Sequence, residues 1–146
     1  MNGSDNGDSL RYPSDLTAED VESAKTYLES YRFGKCLLSC SAYQRDYLGD
    51  KYPQNYADND LSGGGEDGGE LENGMIRAKM YAVRSFIETL GCSNVTKTVL
   101  LLHYVRGLSV AECADAMGIG RATAFRRRKD GIVSAARKLR ADKKKI

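Results

Sequence analysis

Gly107-Leu108-Ser109-Val110-Ala111-Glu112-Cys113-Ala114-Asp115-Ala116-Met117-Gly118-Ile119-Gly120-Arg121-Ala122-Thr123-Ala124-Phe125-Arg126 holds the densest run of local structural signals in this 146-residue chain. Ser109 and Glu112 stand at the spacing of a capping box, in which each side chain takes the other's free backbone amide. Leu108 before the cap and Cys113 four residues after it match a hydrophobic staple. Ala114 is small where two helices must cross closely. Gly118 can adopt the left-handed conformation that ends a helix and turns the chain sharply. Ile119 then turns into the core, and Gly120 is a permitted though weaker N-cap for a second helix. The spacing therefore predicts a short helix over Ser109–Met117, a three-residue turn, and a longer basic helix from Arg121 to about Leu139. That is the helix-turn-helix arrangement.

Such a pair lays its second helix in the major groove of duplex DNA and reads base edges with that helix's N-terminal residues. The residues so placed are Arg121, Ala122, Thr123, Phe125 and Arg126. Arginine bonds bidentately to guanine, and the methyl groups of Ala and Thr can touch the thymine methyl. Arg127, Arg128 and Lys129 are expected to reach phosphates, as is Ser109 at the start of the preceding helix. A plain three-helix bundle with a solvated arginine run would explain the glycine and the capping box. It would not explain four consecutive basic residues beginning five positions into the helix.

Working outward, the chain from Met75 is helical almost without pause. Ile76, Met80, Val83, Ile87 and Leu90 form an amphipathic stripe closed by Gly91. Ser93-Asn94 then caps a helix covering Val99, Leu100, Leu102 and Tyr104, which Gly107 ends. On the N-terminal side, residues 1–15 are rich in Asn, Gly, Ser and Asp and are expected to be disordered. Thr17 caps a helix with two carboxylates in its first turn. Val21, Ala24, Leu28, Tyr31 and Leu38 continue its apolar face, Gly34 is a point where it can kink, and it is expected to end near Leu48-Gly49. The glycines and acids of residues 49–74 read as a flexible linker, and no Gly-Lys-Ser/Thr follows them to make a phosphate-binding loop.

The net charge of +2 hides a sharp division. Residues 1–74 hold six Lys/Arg and fifteen Asp/Glu, whereas residues 75–146 hold sixteen and five. A basic helical half most often meets nucleic acid, because phosphate contacts dominate such affinities. Cys36, Cys40, Cys92, Cys113 and His103 lack the two short ligand pairs of a structural zinc site, so small buried thiols are the expectation, with no metal and no cofactor. His103 has no acid or nucleophile placed to use it and reads as a packed or surface residue. No catalytic constellation is found, and the chain reads as a non-enzyme. Seven of nine tyrosines precede residue 60, and pairs such as Tyr27/Tyr31 and Tyr43/Tyr47 stripe a helix face suited to core packing or a helix–helix contact. With no apolar run long enough for a membrane span and no secretory leader in the first residues, a cytoplasmic location is expected.

On Tyr104-Val105-Arg106-Gly107-Leu108-Ser109, Glu112-Cys113-Ala114, Met117-Gly118-Ile119 and Arg121, residues 94–140 resemble region 4 of sigma-70-type factors. The whole chain is similar in layout to short phage-borne regulators of the RinA/ArpU type. That resemblance implies an activator of late phage genes acting in a bacterial host cell. Two departures stand out. The family's apolar residue in mid-recognition helix is replaced by Arg126-Arg127-Arg128, where Phe125 or an arginine stem must fill the gap. Gly120 stands where Ser or Thr is usual.

The sequence thus reads as all-α. An N-terminal helix or helix pair in residues 16–48 is joined by the linker to a sigma region 4-like helix-turn-helix bundle in residues 75–141. Residues 142–146 form a basic tail. The expected partner is double-stranded DNA. RNA polymerase and a second copy of the chain, met through the N-terminal helices, are further candidates, and no membrane is. A phage small terminase subunit that recognises a packaging site, and a polymerase-binding adaptor that does not read DNA, are the rival readings.

Overall fold

In the computed structural model the described residues are 11–40, Gln44, Arg45, Tyr47 and 65–144, the side chains of 65–70 excepted. Among them the regular structure is all helix, with no strand. The elements are α1 (Ala18–Leu38), α2 (Gly65–Glu88), α3 (Asn94–Leu100), a π-helical turn over Leu101–Val105 that continues α3, α4 (Val110–Met117) and α5 (Arg121–Lys144).

Each start follows from its sequence. Thr17 accepts from the Asp20 amide at 3.0 Å, while the Thr17 amide donates to Asp20 Oδ2 at 3.1 Å. Ser93 Oγ accepts from the Thr96 amide at 3.2 Å and caps α3. A cap of this kind contributes about 1 kcal/mol by satisfying one of the helix's free amides.

The apolar stripes of α1, α2 and α5 meet in one main core. Leu16, Val21, Ala24 and Leu28 pack with Val83, Phe86, Ile87 and Leu90 of the α2 region, with Leu100 and Tyr104, and with Ile132, Val133, Ala135 and Ala136 of α5. α1, the first part of the N-terminal helical segment expected over 16–48, is a wall of the same core. The surfaces of α2 and α5 match its apolar stripe. A smaller cluster joins Leu37 to Ile76, with Phe33, Leu38 and Met80 around it. A third joins Val110, Ala114 and Ala124, with Ile119 packed against it, as the turn's reading foresaw.

Four boundaries differ from the sequence reading. The linker expected over 49–74 is too long, because α2 begins at Gly65. Four glycines weaken its first turns, but Glu72 pairs with Arg45 at 3.3 Å and Ile76 buries against Leu37, so tertiary contact outweighs propensity. Residues 48–64 lie outside the described residues, as do 1–10, which cover most of the expected disordered start. Residues 11–15 of that start are placed, since Asp15 pairs with Arg137 at 3.1 Å and with Arg140 at 3.4 Å. Next, α1 runs through Gly34 without a break and stops at Leu38 instead of near Leu48-Gly49. Ser39 Oγ there bonds back to the Cys36 carbonyl at 2.8 Å and competes with a further helical turn. Finally, the basic tail continues α5 as far as Lys144.

The long helix owes its position to a missing side chain. A Cβ at Gly131 would stand 2.6 Å from Leu100 Cδ1 and 2.7 Å from Leu100 Cγ, and Leu100 is wholly buried. Gly131 thus lets α5 lie directly on α3. Helix propensity alone would make Gly131→Ala stabilising by up to about 1 kcal/mol. Overpacking at a well-filled site costs about 1–3 kcal/mol. We expect Gly131→Ala to lower the thermal midpoint; an unchanged or raised midpoint in calorimetry would show that Leu100 yields freely.

Candidate nucleic-acid interface

α4, the turn and the first half of α5 are built as their residues dictate. Ser109 Oγ accepts from the Glu112 amide at 3.1 Å, and the Ser109 amide donates to Glu112 Oε1 at 2.8 Å. Gly118 has φ +70, the left-handed region that a side chain would resist, and its amide and that of Ile119 close onto Ala114 and Asp115 carbonyls. Ala114 and Ala124 are both fully buried at the crossing of α4 and α5, where small residues allow close approach. The Gly120 carbonyl accepts from the Ala124 amide at 3.0 Å, the first bond of α5.

This support leaves one face of α5 in solvent. Arg121, Ala122, Phe125 and Arg126 are exposed, and Thr123 is partly so. Their spacing (i, i+1, i+4, i+5) places four of the five expected base-reading residues on a single helix face. Phe125 is 40% exposed, an unusual state for a phenyl ring between arginines, and it does not fill the core gap.

The expected phosphate contacts divide differently. Arg128 falls on the inward stripe of α5, between Ala124 and Ile132, and its guanidinium lies beside His103 and Tyr104. Its Nε is buried without a hydrogen-bond partner, as is the Tyr104 hydroxyl. An arginine stem thus occupies a place on the inward stripe of α5. Arg127 is half-buried and pairs with Asp130 at 3.8 Å. Lys129 Nζ sits 5.9 Å from the Tyr12 ring centroid, and Lys25 Nζ stands at the same distance from that ring. Ser109 is exposed, but its amide is already given to Glu112, whose carboxylate stands at the helix start where a phosphate would arrive. Only the hydroxyl proton of Ser109 remains to offer.

Tyr12, Arg32 and His103 support this face without being legible as its parts. The π turn replaces i−4 bonding by longer-range bonds, from the Arg106 amide to the Leu101 carbonyl at 3.0 Å and from the Leu108 amide to the Leu102 carbonyl at 3.0 Å. The His103 carbonyl takes Arg32 Nη2 at 2.8 Å instead. The His103 ring donates from Nδ1 to the Leu108 carbonyl at 2.7 Å and meets the Tyr104 ring edge-on at 4.6 Å. It therefore pins the residue just ahead of the α4 cap, a packing role in keeping with the sequence reading. Among the described residues no group of three or more His, Cys, Asp or Glu is placed to hold a metal ion. Cys113 is buried and its thiol points to the Val99 carbonyl.

His103 makes stability depend on pH. Burial lowers its pKa below the ordinary value, the Leu108 hydrogen bond opposes this, and the Arg128 and Arg32 charges add to the lowering. The unfolded chain then binds a proton that the folded chain refuses. Stability should be full above about pH 6.5 and fall as pH drops from there towards the folded pKa. Asp15, held low by Arg137, and Asp20, held low chiefly by its bond with Thr17, titrate well below that window. Denaturant midpoints between pH 7 and pH 5 should decline in the native chain and stay level in His103→Gln; a slope of equal size in both would remove His103 as its source.

No protein-family model, no curated protein and no solved structure matches this chain.

Proposed function

We propose that this chain is a sequence-specific, double-stranded DNA-binding transcriptional regulator that lays the first half of α5 in the major groove. The observation that carries the reading is the solvent face of Arg121, Ala122, Phe125 and Arg126, held out by a buried Ala114–Ala124 crossing and a left-handed turn at Gly118. Two arginines flanking an apolar surface match the two kinds of base edge a major groove offers, guanine acceptors and thymine methyls. A rigid helix end, packed down through Ala124, is the form in which such readout loses least conformational entropy.

The cationic surroundings fit the same role. Lys129 and Arg127 stand one to three positions beyond Arg126, within the reach of flanking phosphates once their weak internal contacts are exchanged. Arg128 is assigned to support rather than to DNA, because its head group is turned to Tyr104 and His103. The resemblance of residues 94–140 to sigma region 4 favours promoter DNA as the target, with RNA polymerase close by. The layout shared with phage-borne regulators of the RinA/ArpU type favours activation of late phage genes in the bacterial cytoplasm.

Selection of bound duplexes from a random pool tests this directly. We expect a sharp motif containing guanine, with affinity falling steeply as salt rises. Arg121→Ala and Arg126→Ala should each cost about 1–3 kcal/mol of discrimination, roughly five- to 150-fold, while leaving the melting temperature almost unchanged. Failure to bind any duplex at low ionic strength, or binding indifferent to both substitutions, would refute the proposal.

A further inference from the structure

Two of the four cysteines depart from the expectation of small buried thiols. Cys113 is buried, but Cys36 is exposed and Cys40 half-buried at the end of α1. The two thiols also meet: Cys36 donates a hydrogen bond to the Cys40 sulfur across one helical turn. Cys92, by contrast, has its thiol beside Ser134 and no second cysteine.

The backbone holds this pair in place. Four residues of helix advance the chain by about 6 Å, inside the roughly 4.4–6.8 Å between Cα atoms that a disulfide spans. Ser39 keeps helical torsions (φ −95, ψ 0), so the register of the last turn carries on to Cys40. The Ser39 amide donates to the Cys36 carbonyl at 3.1 Å and the Cys40 amide to the Leu37 carbonyl at 3.1 Å. Leu37 itself is buried against Ile76, and its carbonyl accepts from Arg45 Nε at 2.7 Å as well. The cysteines thus bracket an anchored residue at the rim of a packed cluster. Because Cys40 lies past the last residue of α1, it can close on Cys36 without opening an α-helical bond of that helix.

We propose that Cys36 and Cys40 are a reversible dithiol–disulfide pair, a modification site whose co-reactant is a small-molecule disulfide. Cys36, open to solvent, loses its proton to water and attacks one sulfur of that disulfide. The S–S bond breaks, one small thiol leaves, and Cys36 carries the other half as a mixed disulfide. Cys40 then gives up its proton and attacks the Cys36 sulfur, which expels the second small thiol. The protein loses two hydrogens and two electrons, and the small disulfide gains both. Desolvation, and after it the contact with Cys40, push the Cys36 thiol above its ordinary value, so the pair rests protonated until a disulfide arrives. An exposed bridge of this kind is labile, and a reducing thiol opens it again.

Treatment of the full native chain with oxidised glutathione, followed by alkylation of free thiols, digestion and mass spectrometry, tests the pair with no reference to DNA. Trypsin cuts after Lys35 and Arg45, so both cysteines fall on one peptide, residues 36–45. That peptide should be unalkylated, lighter by two hydrogens and free of glutathione, and dithiothreitol should restore both thiols. Cys40→Ser should stop at a glutathione adduct on Cys36. Unfolding in urea should slow the second, closing step about tenfold, because the fold no longer holds the sulfurs together. Recovery of the native peptide with two adducts, or with both thiols alkylated, overturns the proposal. So does a bond from either cysteine to Cys92 or to a second chain, or closing at the same rate in urea.

Discussion

The seat of Leu100 on the bare backbone of Gly131 sets the depth at which α5 lies, and the other contacts are arranged around it. α5 belongs to two clusters. Its first half closes a small one through Ala124, and its second half closes the main core through Ile132, Val133, Ala135 and Ala136. Between them sits Gly131. A helix held at such a point cannot shift its outer face without disturbing both cores, because packed interiors resist small displacements. The exposed arginines at Arg121 and Arg126 are therefore presented by a beam fixed along its length.

Charge is distributed with the same economy. The acidic excess of the first half is partly used inside the molecule, where Asp15 and Asp20 meet Arg137 and Arg140 near the far end of α5. The Asp15 carbonyl also accepts from Arg140. These exposed pairs add little stability individually, but they occupy Arg137 and Arg140 in the second half of α5. The arginines at the near end, Arg121 and Arg126, stand in the open, as do Lys143 and Lys144 at the far end.

Elements governed by neighbours in sequence were the most legible. Ser109 with Glu112, Thr17 with Asp20, and Gly118 each act within one helical turn, and the structure has each as local chemistry requires. The helical start of α2 was hidden because its glycines argue against a helix, while the partners that hold it, Arg45 and Leu37, lie far back in the chain. Arg128 misled for the opposite reason. Within Arg126-Arg127-Arg128 composition suggests one shared role, yet successive residues point about 100° apart, and the third of them meets Tyr104 and His103. Tyr12 and Arg32 carry no local mark at all, and their roles exist only once α1 is docked. The candidate groove-facing residues were thus readable from spacing, and their supports were not.

The wide turn at Leu101–Val105 has a bearing on how this architecture can vary. It carries one residue more than an α-helical turn would, and the chain leaves it towards the capping box in a direction that this surplus determines. Losing a single residue there would let the helix close regularly and would swing all that follows by about 100° about the helix axis. The exposed face from Arg121 to Arg126 would then be aimed elsewhere, with each of its side chains intact. Substitutions in this segment are a matter of packing, but a one-codon deletion is a matter of phase.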